Sequence, residues 1–245
     1  AEHFRDEYHI IAPDLRGHGD SQWMEGGTYT QLDYVYDIAQ LLHQKDMRPV
    51  TIIGHSLGGS ISLLYTSVYP DNVKKLVAIE GLGPSPSMQE KLKEKLIGDR
   101  IRDWMGDLRK SSGRSARRYL TLEDAFQRMQ DENPHLSEAQ ARHLTIHGSN
   151  QNEDGTFSWK FDNYVRFFAF SGLPSNDLKK LWGDIKCPAL LVRGVESWAS
   201  DPVADGRTKY FNCPIEVEAF EKAGHWVHHD QLEGFVQRGR TFLAD

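Results

Sequence analysis

Residues Val50–Ser60 read VTIIGHSLGGS, and no other stretch constrains the fold as tightly. A short apolar run, Val50 to Ile53, meets Gly54-His55-Ser56-Leu57-Gly58 and passes at once into a helical pattern. This is the G-x-S-x-G nucleophile elbow in the strand-to-helix context that gives the motif its meaning. Small residues at Gly54 and Gly58 are expected to let a strand turn sharply into a helix, holding Ser56 in a strained conformation with its hydroxyl outward. The helix beginning just after it directs free backbone N–H groups toward that hydroxyl, ready for a developing oxyanion. The bland alternative is a glycine turn with an inert surface serine.

The segments around the elbow repeat one rhythm. Tyr8–Ala12 (YHIIA) reads as a buried strand closed by Pro13, followed by the polar, glycine-rich loop Asp14–Ser21. Leu32, Val35, Tyr36, Ala39 and Leu42 share one helical face, and Pro49 separates that helix from the elbow strand. Ile61, Leu64, Tyr65 and Val68 continue a helix halted by Pro70; Leu76–Ile79 is the next strand, ending at Glu80. Later come strands Ala189–Val192 and Ile215–Phe220, then Gly224-His225-Trp226 and a terminal helix carrying Leu232, Phe235, Val236 and Phe242. Strands alternating with helices through short links predict a mostly parallel sheet flanked by helices.

Residues 84–184 break that rhythm. Charged helical segments dominate, and no clear buried strand is visible. The basic residues Arg100, Arg102, Arg109, Lys110, Arg114, Arg117 and Arg118 are interleaved with Asp99, Asp103 and Asp107, as on a solvated helix face. Phe157, Trp159, Phe161, Tyr164, Phe167, Phe168 and Phe170 form an aromatic cluster, read as local core before substrate wall. The expected organisation is therefore a first core segment at 1–83, a helical insertion at 84–184 and a second core segment at 185–245.

With 245 residues, one large core plus a subdomain is affordable in chain length. A net charge of −6 argues against nucleic acid or an anionic membrane surface as partner. No apolar run reaches transmembrane length and no signal-like segment opens the sequence. Two cysteines, Cys187 and Cys213, make no disulfide framework, so reduced packing thiols and a cytoplasmic location are expected.

A serine hydroxyl needs a base to take its proton and a third group to orient that base. In an open parallel sheet, reacting groups gather at the carboxyl ends of strands. Of the 11 histidines, that rule favours His225, just past the last strand. His228 and His229 lie on the following helix and are the fallback bases. The i, i+3, i+4 spacing of His225, His228 and His229 makes a metal site conceivable, but no motif-like acidic or cysteine partner stands beside them, and neither metal nor cofactor is expected.

The segments APDLRGHGDS, GHSLGG and AGHW, in that order and context, resemble the α/β-hydrolase superfamily across nearly the whole chain outside the insertion. The resemblance implies an α/β-hydrolase fold with a helical cap inserted after Glu80, Ser56 as nucleophile, His225 as base and the Leu57 N–H as one oxyanion donor. The cap stretch HGSNQNEDGTFSWKFD is similar to that of serine hydrolase-like members. A serine nucleophile argues against epoxide hydrolase and haloalkane dehalogenase chemistry.

Two departures stand out. The usual aspartate after the strand ending VRG is replaced by Ser197, in GVESWASD. Glu80, at the carboxyl end of the strand after the nucleophile's own, is then the expected acid, a position used by haloalkane dehalogenases among others. Glu196 is the main rival, and Asp201 lies farther along. The second departure is that the family's earlier strands and His-Gly oxyanion loop have no counterpart before Tyr8. An N-terminally shortened chain, lacking roughly 40–60 residues, is expected on that ground.

The function expected is cleavage of an ester or related carbonyl bond in a small, partly apolar substrate. Carbon–carbon bond hydrolysis by the same triad, and a non-catalytic binding protein on the same fold, are the alternatives.

Overall fold

The structure, a computed structural model, describes residues 1–24, 29–112, 116–166 and 173–244. Its regular elements are, in the first part of the chain, α1 (Gln31–Gln44), β1 (Val50–His55), α2 (Leu57–Val68), β2 (Val73–Ile79), α3 (Pro86–Glu94) and α4 (Ile97–Ser112). Then come α5 (Leu122–Glu132), α6 (Glu138–Gly148), β3 (Ser149–Gln151), β4 (Phe157–Trp159) and α7 (Ser175–Gly183). The chain ends with β5 (Ala189–Gly194), β6 (Ile215–Phe220), α8 (Val227–Asp230) and α9 (Leu232–Ala244). These elements form two compact units, one of Ala1–Tyr29 with Leu108–Phe167, the other of Thr30–Asp107 with Phe168–Asp245.

The larger unit holds a four-stranded, all-parallel sheet in the order β1-β2-β5-β6. Parallel strands covered on both faces read as continuous apolar runs, and β2 and β5 do so. Val77, Ile79, Leu190 and Val192 point to one face, where Ala223, Val227, Phe235 and Phe242 cover them from α8, α9 and the turn before. By the two-residue period, Leu76, Ala78, Ala189 and Leu191 point to the other, and α2 packs on β1 and β2. Lys75 Nζ donates to the carbonyls of Phe242 and Leu243, closing the open end of α9.

Thr30 and Asp33 start α1 with a reciprocal capping box. Its buried stripe is Tyr34, Val35 and Leu42, whereas Leu32 and Tyr36, expected on the inner face, are exposed. The helix is therefore rotated relative to the expected stripe, with Tyr34 rather than Tyr36 turned inward. Cys187 and Cys213 are free thiols just before the paired strands β5 and β6. Burial pushes the Cys187 thiol up to about 11 and Cys213 upward as well.

In the smaller unit, α5 and α6 each begin with a capping box, and β3 and β4 form a short antiparallel hairpin with no buried residue in either strand. Arg142 pairs with Glu123 and Glu138 and lies over the Phe126 ring. The Asp14–Ser21 loop joins this unit through Gly19 N–H to the Lys160 carbonyl, 2.7 Å, and Asp162 N–H to the Gly17 carbonyl, 2.8 Å. Gly19 has φ +56, and a Cβ there would meet Asp14 Oδ2 at 2.0 Å, so the turn requires glycine.

The Tyr8–Ala12 expectation fails. The segment forms no strand, and Tyr8, Ile10 and Ile11 are exposed. A strand is stable only when its ladder is paired, and among the described residues none pairs with it. Of the aromatic cluster, Phe167, Phe168 and Phe170 lie outside the described residues, as does Arg114 of the basic group.

Candidate active site

The pairing register brings the chemistry-bearing residues to one end of the sheet. His55 is opposite Ile79, and Ile79 is opposite Val192, so the residues following β1 and β2 emerge together. Ser56 lies between β1 and α2 with φ 51 and ψ −113, a backbone conformation that a residue with a Cβ rarely holds. Its N–H donates to the Ile79 carbonyl at 2.8 Å, tying the turn to β2. Its hydroxyl does not cap its own helix. Leu57 is the first residue of α2, where an N–H has no intrahelical acceptor.

The glycines divide the work differently from expectation. A Cβ at Gly54 would sit 2.4 Å from the Gly58 carbonyl oxygen, so Gly54 is required by close approach. Gly58 itself faces open space, and it is Gly59 whose Cβ would strike Gly81 Cα, at 2.7 Å. The elbow is thus tight at Gly54 and Gly59, because α2 descends onto the start of the loop after β2.

Glu80 directly follows β2, also with positive φ, 53. Its side chain is 0% exposed, yet it is fully provided with donors. Gly194 N–H reaches Oε1 at 2.8 Å, and Ser197 Oγ lies 2.5 Å from Oε2. His225 Nδ1 is 3.2 Å from the same Oε2, a contact that the tautomer with its proton on Nδ1 makes as a donor. A buried carboxylate with three donors is the arrangement that lets an unneutralised charge persist in a core.

His225 is held from a second side. His55 Nε2 donates to the His225 carbonyl at 2.7 Å, and the two rings stand 4.8 Å apart. Burial lowers His55 to about 4 and His228 to about 3, so both rings are neutral at pH 7. The exposed Trp198 ring, 5.2 Å from His225, completes the surround.

Of the rival residues, Glu196 has an exposed side chain while its N–H donates to the Ala223 carbonyl. Asp201 pairs with Arg193 and accepts from the Val203 and Ala204 N–H groups. His228 Nδ1 is buried with no hydrogen-bond partner. Among the described residues, no group of three or more His, Cys, Asp or Glu is arranged to hold a metal ion. Nor, among the described residues, is any helix long and apolar enough to cross a membrane.

Sequence reasoning passed over Arg207, which is buried and clamps the neighbourhood. It pairs with Asp205 and donates to the carbonyls of Leu82, Gly83 and Ser200. These partners share no local motif; a lone arginine after a glycine was the only signal. A cavity of about 20 Å³ borders Glu80, Arg193, Ser200 and Arg207, a volume for a single water and not for a substrate.

A parallel sheet flanked by helices agrees with the family to which the chain is similar. Residues 1–232 match the family model described as alpha/beta hydrolase fold, and the chain belongs to that family. An esterase of Mycobacterium tuberculosis is 27% identical over 241 residues, covering 95% of this chain and 74% of that protein. The 2-hydroxy-6-oxo-2,4-heptadienoate hydrolase of Pseudomonas putida is 25% identical over 235 residues, covering 96% of this chain and 78% of its own. The thioesterase domain from the curacin biosynthetic pathway shares the fold, with a TM-score of 0.79 over 97% of this chain and 83% of its own at 22% identity.

Proposed function

We propose that the chain is a serine hydrolase that cleaves an ester or related carbonyl bond of a small, partly apolar substrate. Ser56 is the nucleophile, His225 the base, Glu80 the acid and Leu57 N–H an oxyanion donor. One observation carries the reading: a strained serine at a helix start shares a sheet end with a histidine whose Nδ1 meets a buried carboxylate.

The chemistry follows from those positions. His225 Nε2 takes the Ser56 proton as Oγ attacks the carbonyl carbon, and the charge gathering on the carbonyl oxygen meets the Leu57 N–H. Glu80 stabilises the imidazolium through Nδ1–H and keeps its own charge. Collapse expels the alcohol, protonated by His225, and leaves an acyl group on Ser56. Water, deprotonated by His225, then attacks the acyl carbon and releases the acid.

A second reading has one observation in its favour, the likeness to the Pseudomonas putida hydrolase. Carbon–carbon bond hydrolysis would use the same three groups on a diketone-like substrate. The test is a fluorophosphonate probe together with p-nitrophenyl esters of graded acyl length. Wild type should label and turn over esters, and Ser56→Ala should do neither. Absence of labelling in folded wild-type protein would reject a serine hydrolase of either kind.

A further inference from the structure

Ser197 stands where the resemblance leads one to look for an acid, yet its hydroxyl is committed to a specific contact. Oγ lies 2.5 Å from Glu80 Oε2, the range of a charge-assisted O–H···O⁻ bond. Ala199 N–H donates to the same Oγ at 3.2 Å, so one of its lone pairs is occupied and its single proton goes to Glu80. Ser197 is itself fixed, because its N–H donates to the Gly194 carbonyl at 3.2 Å. The Gly194 N–H in turn holds the other carboxylate oxygen at 2.8 Å.

The last residue of β5 and the loop that follows it therefore grip both oxygens of a carboxylate that stands just past β2. With one donor on each oxygen, the carboxylate plane cannot pivot, and Oε2 is kept toward His225 Nδ1. With Gly194 alone, the group could swing about its Oε1 anchor, leaving the longer His225 contact at 3.2 Å to hold it. We propose that Ser197 is a positioning residue that acts through Glu80, orienting the acid toward the histidine across two strands. This rests on Glu80 being the triad acid.

The experiment compares Ser197→Ala, Ser197→Thr and Glu80→Gln with wild type, using p-nitrophenyl butyrate and the low-field proton resonance of His225 Nδ1–H. Ser197→Ala should lose about ten- to a hundredfold in kcat with KM unchanged, the factor carried by a hydrogen bond to a charged group. Its Nδ1–H signal should shift or exchange faster at temperatures where the variant is fully folded, a readout independent of turnover and of the lower melting temperature expected when a buried carboxylate loses a donor. Ser197→Thr, which keeps the hydroxyl, should recover most of both.

Wild-type kcat and an unmoved resonance in Ser197→Ala would overturn the proposal. So would equal losses in the alanine and threonine variants, or a kcat loss that vanishes when the assay is run well below the variant's melting temperature. Glu80→Gln separates the two levels: if it keeps wild-type kcat, Glu80 as acid falls and takes the proposal with it. If it loses about 10⁴ while Ser197→Ala is unaffected, only the role of Ser197 falls.

Discussion

Glu80→Gln is nearly isosteric, and its effect can be followed atom by atom. The glutamine carbonyl can still accept from Gly194 N–H, which holds Oε1 at 2.8 Å. The amide nitrogen then stands where Oε2 now receives both Ser197 Oγ and His225 Nδ1. Ser197 can rotate its proton away, but two N–H groups cannot face each other, so His225 must become an Nδ1 acceptor and carry its proton on Nε2. That tautomer cannot take the Ser56 proton. The expected loss is about 10⁴ in kcat, or about 5 kcal/mol of transition-state stabilisation. Stopped-flow or steady-state ester assays on protein checked by circular dichroism would measure it, with Glu196→Gln as the comparison. A Glu80→Gln variant keeping more than a tenth of wild-type kcat, or a larger loss in Glu196→Gln, would refute the reasoning.

Three further outcomes are expected. His55 and His228 are held near 4 and 3 by burial, below the unfolded value of about 6.5, so the unfolded chain binds protons first. Their contribution is fully present above pH 6.5 and is lost as pH falls through about 4 for His55 and about 3 for His228, costing roughly 3 kcal/mol for His55 alone; His228→Phe should flatten the melting temperature against pH between 6.5 and 3, and an unchanged slope would count against it. Gly54→Ala should cost about 1–3 kcal/mol by urea denaturation, because its Cβ meets the Gly58 carbonyl at 2.4 Å, whereas Gly58→Ala enters open space and should be close to neutral. Reversal of that order would sink the packing account. Arg207→Met strands Asp205 and three carbonyls, and should destabilise by about 3–5 kcal/mol, again read from the urea midpoint; a loss under about 1 kcal/mol would show that the clamp is dispensable.

Much of the core was legible because burial on both faces leaves an unmistakable trace. Leu76–Ile79, Ala189–Val192 and Ile215–Phe220 are apolar or alternating runs bounded by turns, and each lies within a strand. Tyr8–Ala12 carries the same trace and is no strand. An apolar run says that a surface is available for burial, not that a neighbour is there to bury it. In α1 the stripe was misjudged because tyrosines at 34 and 36 look alike in sequence, and only packing decides which turns inward.

The candidate site was legible where a residue's place in the chain implies its place on the sheet. Ser56, Glu80 and His225 each follow a strand, so the carboxyl-end rule collects them. The contacts that refine the site had no such signature. Ser197 meets Glu80 across 117 residues and Arg207 meets Leu82 across 125. No spacing rule covers bonds between loops of different strands, since they depend on side-chain rotamers set by the packed fold.

Ser56 and Glu80, with φ of 51 and 53, have an implication for how such a protein changes over generations. Each holds a conformation that glycine adopts freely and that costs other residues about 1–3 kcal/mol. Selection for heat resistance alone, blind to turnover, would therefore be drawn toward glycine at 56, whereas glycine at 80 would leave a void and strand the donors that now meet the buried side chain. With Ser56 as the proposed nucleophile, lineages under that pressure would gain robustness by discarding it, and would drift toward inert but long-lived copies of the same fold. On that proposal, the strain of a serine at 56 is worth keeping only where turnover itself is under selection.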